Sequence, residues 1–190
     1  MGESKFPGPG LHLRNQLVAI DLSAIDRHRP IVETTTRTLC WPDEEATQAF
    51  AAQWAQSAVI GDAFIALHGD LGAGKTTLVR HLLKALGVQG RIKSPTYAVV
   101  EPYELPNQNV WHFDFYRFTD PREWEDAGFR DIFASPGLKL AEWPEKAAVM
   151  LPVADVDLHL RTLDDATRQV TLTAHTSTGV ELLNALGEPL

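Results

Sequence analysis

The sequence predicts an α/β fold: a central, mostly parallel sheet flanked by helices, with a β-hairpin toward its C-terminal end. Three observations carry that expectation. The apolar run Ala63 to His68 leads into a glycine-rich turn and then into a segment where Leu78, Leu82, Leu83 and Leu86 recur at helical spacing. That is the strand, loop and helix order of a parallel unit. Further segments of strand length follow at Ala98 to Tyr103, Val110 to Phe118 and Leu138 to Trp143. Beyond them, Val156 to Leu160 and Gln169 to Ala174 flank Asp164-Asp165 and read as a hairpin.

Taken in order, the first thirty-odd residues mix Pro and Gly with a short apolar patch, Leu17 to Ile20, and hold no sustained period. We read residues 1–35 as an N-terminal extension, partly ordered at most, and residues 36–190 as one domain, a size that buries a sizeable core. A strand is expected over Thr36 to Trp41 and a helix over Asp43 to Ser57, with Pro42 at its start and Asp43-Glu44-Glu45 as its acidic first turn. Gly87 closes the helix that follows the glycine-rich turn. Asp120-Pro121-Arg122-Glu123 opens a short helix, and a last one is expected near Val180 to Leu186.

Composition excludes several classes. With 17 Lys and Arg against 25 Asp and Glu, the net charge of -8 repels phosphate backbones, and no basic run offsets it. Direct contact with RNA is therefore disfavoured. The lone Cys40 cannot form an intrachain disulfide, and no stretch approaches the roughly 18 apolar residues of a membrane span. The N-terminus lacks a basic region followed by an apolar run, so a cytoplasmic location is expected.

Gly69-Asp70-Leu71-Gly72-Ala73-Gly74-Lys75-Thr76 fits G-x-x-x-x-G-K-[ST] at every fixed position. Glycines are needed because successive backbone N–H groups must curl around phosphates, which side chains would block. The following helix adds its positive N-terminal end, Lys75 is placed to reach the β- and γ-phosphates, and the Thr76 hydroxyl to ligate Mg²⁺. A P-loop NTPase fold follows, with a purine nucleoside triphosphate as substrate.

Binding phosphate is not hydrolysing it, so carboxylates are needed near the metal. In Val110 to Arg117, period-2 alternation puts Trp111, Phe113 and Phe115 on one face and His112, Asp114 and Tyr116 on the other. Asp114 on so apolar a strand requires a metal-bound water or a partner such as Arg117 or His112. Glu142 ends the apolar run before Trp143-Pro144, where a strand stops, and ligands of open α/β sheets sit at strand carboxyl ends. It is expected at the phosphate site, as a metal ligand or water-orienting group, unless it is simply solvated. Ser94-Pro95-Thr96-Tyr97 occupies the position of a nucleotide-sensing loop, with Thr96 as the group that could reach the metal or γ-phosphate. The seven histidines show no zinc-binding spacing, and structural roles are expected for them.

Together, GDLGAGKTT, SPTY, HFDFYR and AEWPEK, in this order and spacing, resemble the bacterial TsaE (YjeE) family, the ATPase of tRNA threonylcarbamoyladenosine biosynthesis. The resemblance covers roughly Trp41 to Ala174 and leaves the N-terminal extension without a counterpart. It implies Mg²⁺ as cofactor, ATP as substrate and a TsaB–TsaD pair as partner. That pair, with this subunit, would place a threonylcarbamoyl group on adenosine 37 of tRNAs reading codons that start with A. It also implies that Gly72, Gly74, Lys75, Thr76 and Thr77 bind phosphate, with Gly69, Asp70, Leu71 and Ala73 completing the loop. Asp114 falls at its Walker-B-like position, Glu142 at its second metal-site acid, Thr96 in a mobile loop, and Thr47 and Arg168 near the nucleotide base. A nucleotide-gated binding module without turnover, or a small-molecule kinase, would be the alternatives. Only scattered arginines are available for a kinase lid, and an N-K-x-D base-reading motif of GTPase switches is missing.

Overall fold

The computed structural model describes residues 30–120, 124, 128–163 and 166–187, with the side chains of 31–33 left aside. Seven strands form a single sheet: β1 (Pro30–Trp41), β2 (Phe64–His68), β3 (Val100–Leu105), β4 (Gln108–Asp114), β5 (Leu138–Glu142), β6 (Val156–Thr162) and β7 (Arg168–Thr176). The helices whose full range lies among the described residues are α1 (Glu44–Ala55), α2 (Lys75–Ala85), α3 (Phe129–Ala134) and α4 (Ser177–Asn184). The strand order is β1-β7-β6-β2-β5-β4-β3. The expected α/β class, flanking helices and C-terminal hairpin are all present. Parallel pairing is confined to the inner strands β6, β2, β5 and β4, and β1, β7 and β3 add antiparallel borders.

Local sequence explains the element ends. Asp43 caps α1 by accepting from Ala46 N at 2.8 Å, and Thr47, Phe50, Ala51 and Trp54 form its buried stripe. Asp43 therefore stands just outside the helix rather than inside it. Gly87, at φ 104°, follows the last turn of α2 in the left-handed conformation that ends helices. β4 stops at Asp114 instead of running on to Phe118, because the Asp114 carboxylate accepts from Tyr116 N at 3.0 Å and turns the chain. β1 begins at Pro30, upstream of the expected Thr36, and pairs with β7 across an irregularity between Pro30 and Thr35.

Two apolar layers sandwich the sheet. One packs Trp54, Leu78, Leu82, Leu83 and Leu182 of α1, α2 and α4 on Ile65, Leu67, Leu140 and Leu158. The other gathers Phe64, Phe113, Phe115, Phe118, Trp124 and Phe129 on the opposite face. The second layer contains α3, which the sequence reading did not foresee. The helix expected to open at Asp120-Pro121-Arg122-Glu123, the hairpin turn Asp164-Asp165 and most of the N-terminal extension lie outside the described residues. Among the described residues, no helix is long and apolar enough to cross a membrane.

Candidate nucleotide site

β2, β4 and β5 are parallel neighbours whose carboxyl ends stand level: Leu67 is opposite Glu142, and Asp114 is opposite Glu142. Chain leaving β2 must turn at once into α2, and Gly69, Gly72 and Gly74 do so at φ 136°, 80° and 110°. At Gly69 a Cβ would also stand 2.4 Å from the Leu160 carbonyl oxygen. The loop between them exposes Asp70 and Leu71 and buries Ala73, so its contribution to a ligand is made by its backbone. Lys75, the first residue of α2, is buried, and its Nζ donates to the carbonyls of Gly69 and, at 2.9 Å, Asp70. The same Nζ lies 4.0 Å from the centre of the Trp143 ring. Burial pushes the Lys75 ammonium below its ordinary pKa, and the carboxylates of Glu142, Glu145, Asp114 and Asp70 oppose that shift.

Glu142 is 2% exposed, so the solvated alternative for this residue does not hold. Its Oε2 accepts from the Thr76 hydroxyl at 2.8 Å, and its Oε1 from His112 Nε2 at 2.8 Å. His112 is fully buried, and its Nδ1 has no partner among the described residues, so Glu142 is the one group that orients the ring. Asp114 is held differently: Ser94 Oγ and Thr96 Oγ1 each donate to its Oδ2 at 2.6 Å. Neither Arg117 nor His112 partners it. The Arg117 guanidinium instead lies over the Tyr97 ring, 4.4 Å from its centre. Thr96 is thus tied to a carboxylate of the site rather than left on a bare turn. Thr76, Asp114 and Glu142 together present a hydroxyl and two carboxylates, an oxygen-only donor set that fits Mg²⁺ and would suit a softer ion poorly.

On the other flank of the loop, Thr47 and Arg168 line one cleft with Gly72, Ala73, Gly74 and Thr77, joined by Trp41 and Leu160. Arg168 Nε donates to the Ala73 carbonyl at 3.0 Å, which fixes β7 to the P-loop. Every residue singled out in the sequence therefore borders the loop or the carboxylates behind it.

The family described as threonylcarbamoyl adenosine biosynthesis protein TsaE matches residues 41–170. The chain belongs to the TsaE family. A TsaE of Haemophilus influenzae is 46% identical over 119 residues, which cover 63% of this chain and 75% of that protein. One of Bacillus subtilis is 35% identical over 130 residues, covering 68% of this chain and 80% of its own. The crystal structure of Bacillus subtilis YdiB superposes with a TM-score of 0.63 at 25% identity, covering 80% of this chain and 93% of that one. The TsaE match takes in Thr47, the P-loop, Thr96, Asp114, Glu142 and Arg168, and leaves residues 1–35 outside it. Two site groups escaped the sequence reading. His112 is expected on the Asp114 face as a partner of Asp114, and its bond to Glu142 instead is not foreseen. Trp143 was read only as the end of a strand, and its αL backbone, φ 57°, is what turns the ring over Lys75.

Proposed function

We propose that this chain is a magnesium-dependent ATPase, the accessory subunit of a TsaB–TsaD complex that forms N6-threonylcarbamoyladenosine at position 37 of tRNAs reading codons that start with A. The observation that carries the hydrolytic part is the 2.8 Å hydrogen bond from the Thr76 hydroxyl to Glu142, which brings a buried acid to the end of the P-loop. A P-loop used only to hold phosphate has no need of an acid there, because a second buried negative charge opposes the ligand.

In this reading the backbone N–H groups of Gly72 to Thr77 hold the phosphates, and Lys75 leaves its two carbonyl acceptors for the β- and γ-phosphate oxygens. Thr76, Glu142 and Asp114 hold Mg²⁺ directly or through water. The ion, when bound, neutralises charge that builds on the transferred phosphoryl group. His112 keeps the Glu142 carboxylate aimed at Thr76. Asp114, bonded to Ser94 and Thr96, links the site to the Ser94–Tyr97 loop, so occupancy of the site and the position of that loop depend on one another. Thr47 and Arg168 frame the cleft where the base is bound. The charge of -8 agrees with tRNA being held by partner subunits rather than by this one.

The test is ATP and GTP hydrolysis with Mg²⁺, comparing the chain alone with the chain plus a TsaB–TsaD pair and tRNA. Turnover should prefer ATP, be slow for the isolated chain and rise in the complex. Nucleotide binding without turnover in both conditions would refute the ATPase and leave a nucleotide-gated binding module.

A further inference from the structure

The face of the sheet opposite α2 carries a cluster that the nucleotide site does not use. β2 and β6 are parallel neighbours in which His68 stands directly opposite His159 and Ala66 opposite Asp157. Side chains two residues apart share a face, so His68, Asp157 and His159 project together. The rings of His68 and His159 stack with centres 4.2 Å apart and planes 7° from parallel. His68 Nε2 lies 3.2 Å from Asp157 Oδ1. One nitrogen of each histidine and one Asp157 oxygen fall within 4.8 Å of one another.

We propose that His68, Asp157 and His159 form a binding site for a divalent transition ion of the zinc class. Two nitrogens and one carboxylate oxygen are the donor types such ions select over Mg²⁺. The spacing agrees. Two donors each about 2.0–2.1 Å from a tetrahedral zinc stand roughly 3.3 Å apart, close to the 3.2 Å between His68 Nε2 and Asp157 Oδ1. His159 is exposed, and supplying the third donor requires its ring to turn out of the stack on His68.

Two further groups face the sides of these donors that an ion would not use. Glu145 Oε2 lies 3.5 Å from Nδ1 of His68, the nitrogen left over when Nε2 binds an ion. His175 Nε2 lies 2.8 Å from Asp157 Oδ2, leaving Oδ1 for the ion. A carboxylate behind a ligating imidazole fixes its tautomer and raises its basicity. None of the histidines is close to another in sequence, which is why spacing rules miss the cluster: the register of β2, β6 and β7 assembles it. His68 is also the last residue of β2, immediately before Gly69. A bound ion would therefore pin the strand end from which the P-loop departs.

The test is competition for Zn²⁺ between the full chain and a chromogenic chelator in millimolar Mg²⁺, which occupies oxygen-only sites, together with the visible spectrum of the Co²⁺-loaded chain. The site predicts one tightly bound Zn²⁺ and the absorption of a tetrahedral nitrogen and oxygen site. His159→Ala, at an exposed position that leaves the fold intact, should weaken Zn²⁺ binding at least about tenfold and remove that absorption. Asp157→Asn should weaken it as well. Failure of the wild-type chain to take Zn²⁺ from the chelator would overturn the proposal. So would an affinity and Co²⁺ spectrum unchanged in His159→Ala.

Discussion

The two flanks of the P-loop are built by opposite kinds of strand pairing. On one flank, parallel β4 and β5 end level and deliver Asp114 and Glu142, and the loop after β2 leads to Lys75 at the start of α2, all three buried and each with two or more hydrogen bonds. On the other, α1 and the antiparallel strand β7 contribute Thr47 and Arg168 around a cleft, where Arg168 reaches the loop by donating to the Ala73 carbonyl. In-register parallel strands can bring several charges to one depth, where low dielectric strengthens their effect on a ligand. The antiparallel flank leaves room instead, which suits a flat group recognised by shape and a few contacts.

That contrast predicts a graded set of losses. Lys75→Ala should have the largest effect, abolishing nucleotide binding by a factor of about 100 or more, because a buried ammonium is removed from a site gathered around phosphate. Equilibrium binding of a fluorescent ATP analogue measures it, and a loss below tenfold would mean that the loop backbone suffices. Glu142→Ala should bind ATP within a few-fold of wild type and lose turnover by on the order of 100- to 1000-fold. Retained turnover would take Glu142 out of the chemistry and leave Asp114 as the acid. Arg168→Ala, on the open flank, should raise KM by about tenfold with kcat nearly unchanged, the pattern of a contact made equally in ground and transition states. An equal fall in kcat would show that the two flanks act as one unit.

The smallest effect is on pH dependence. Because burial lowers the Lys75 pKa, its charge is lost on raising the pH sooner than for an ordinary lysine at 10.5. Affinity for ATP should therefore decline in the alkaline range below that value, and Lys75→Arg should abolish the decline in whatever binding it retains. For the empty chain the sign is opposite. Between the lowered folded pKa and 10.5 the unfolded state binds more protons, so the contribution of Lys75 to folding stability rises with pH.

How far the sequence could be read follows the same division. The P-loop, Asp114 and Glu142 were legible because each breaks a local rule: clustered glycines before a helix, and acids at the ends of apolar strands. Thr47 and Arg168 obey every local rule, and only the family resemblance pointed to them. α3 was missed because six residues hold less than two turns and show no period, and its start depends on Gly128 at φ 68°. The antiparallel hairpin of β6 and β7 was legible from its turn, but the pairing of β1 with β7 and of β3 with β4 was not foreseen, since those partners are chosen by tertiary packing. The His68, Asp157 and His159 cluster was invisible for the same reason.

The strand order leaves β1 and β3 as the outermost strands. β3 carries Pro102, which has no N–H to offer a further strand, between Glu101 and Glu104, all three exposed. Two copies meeting along this border would bring like charges together and lose a rung of the ladder at each proline. The chain should therefore resist stacking its sheet onto another copy through β3, and replacing Pro102, Glu101 and Glu104 by threonines would open a route to edge-to-edge aggregation that the natural sequence blocks.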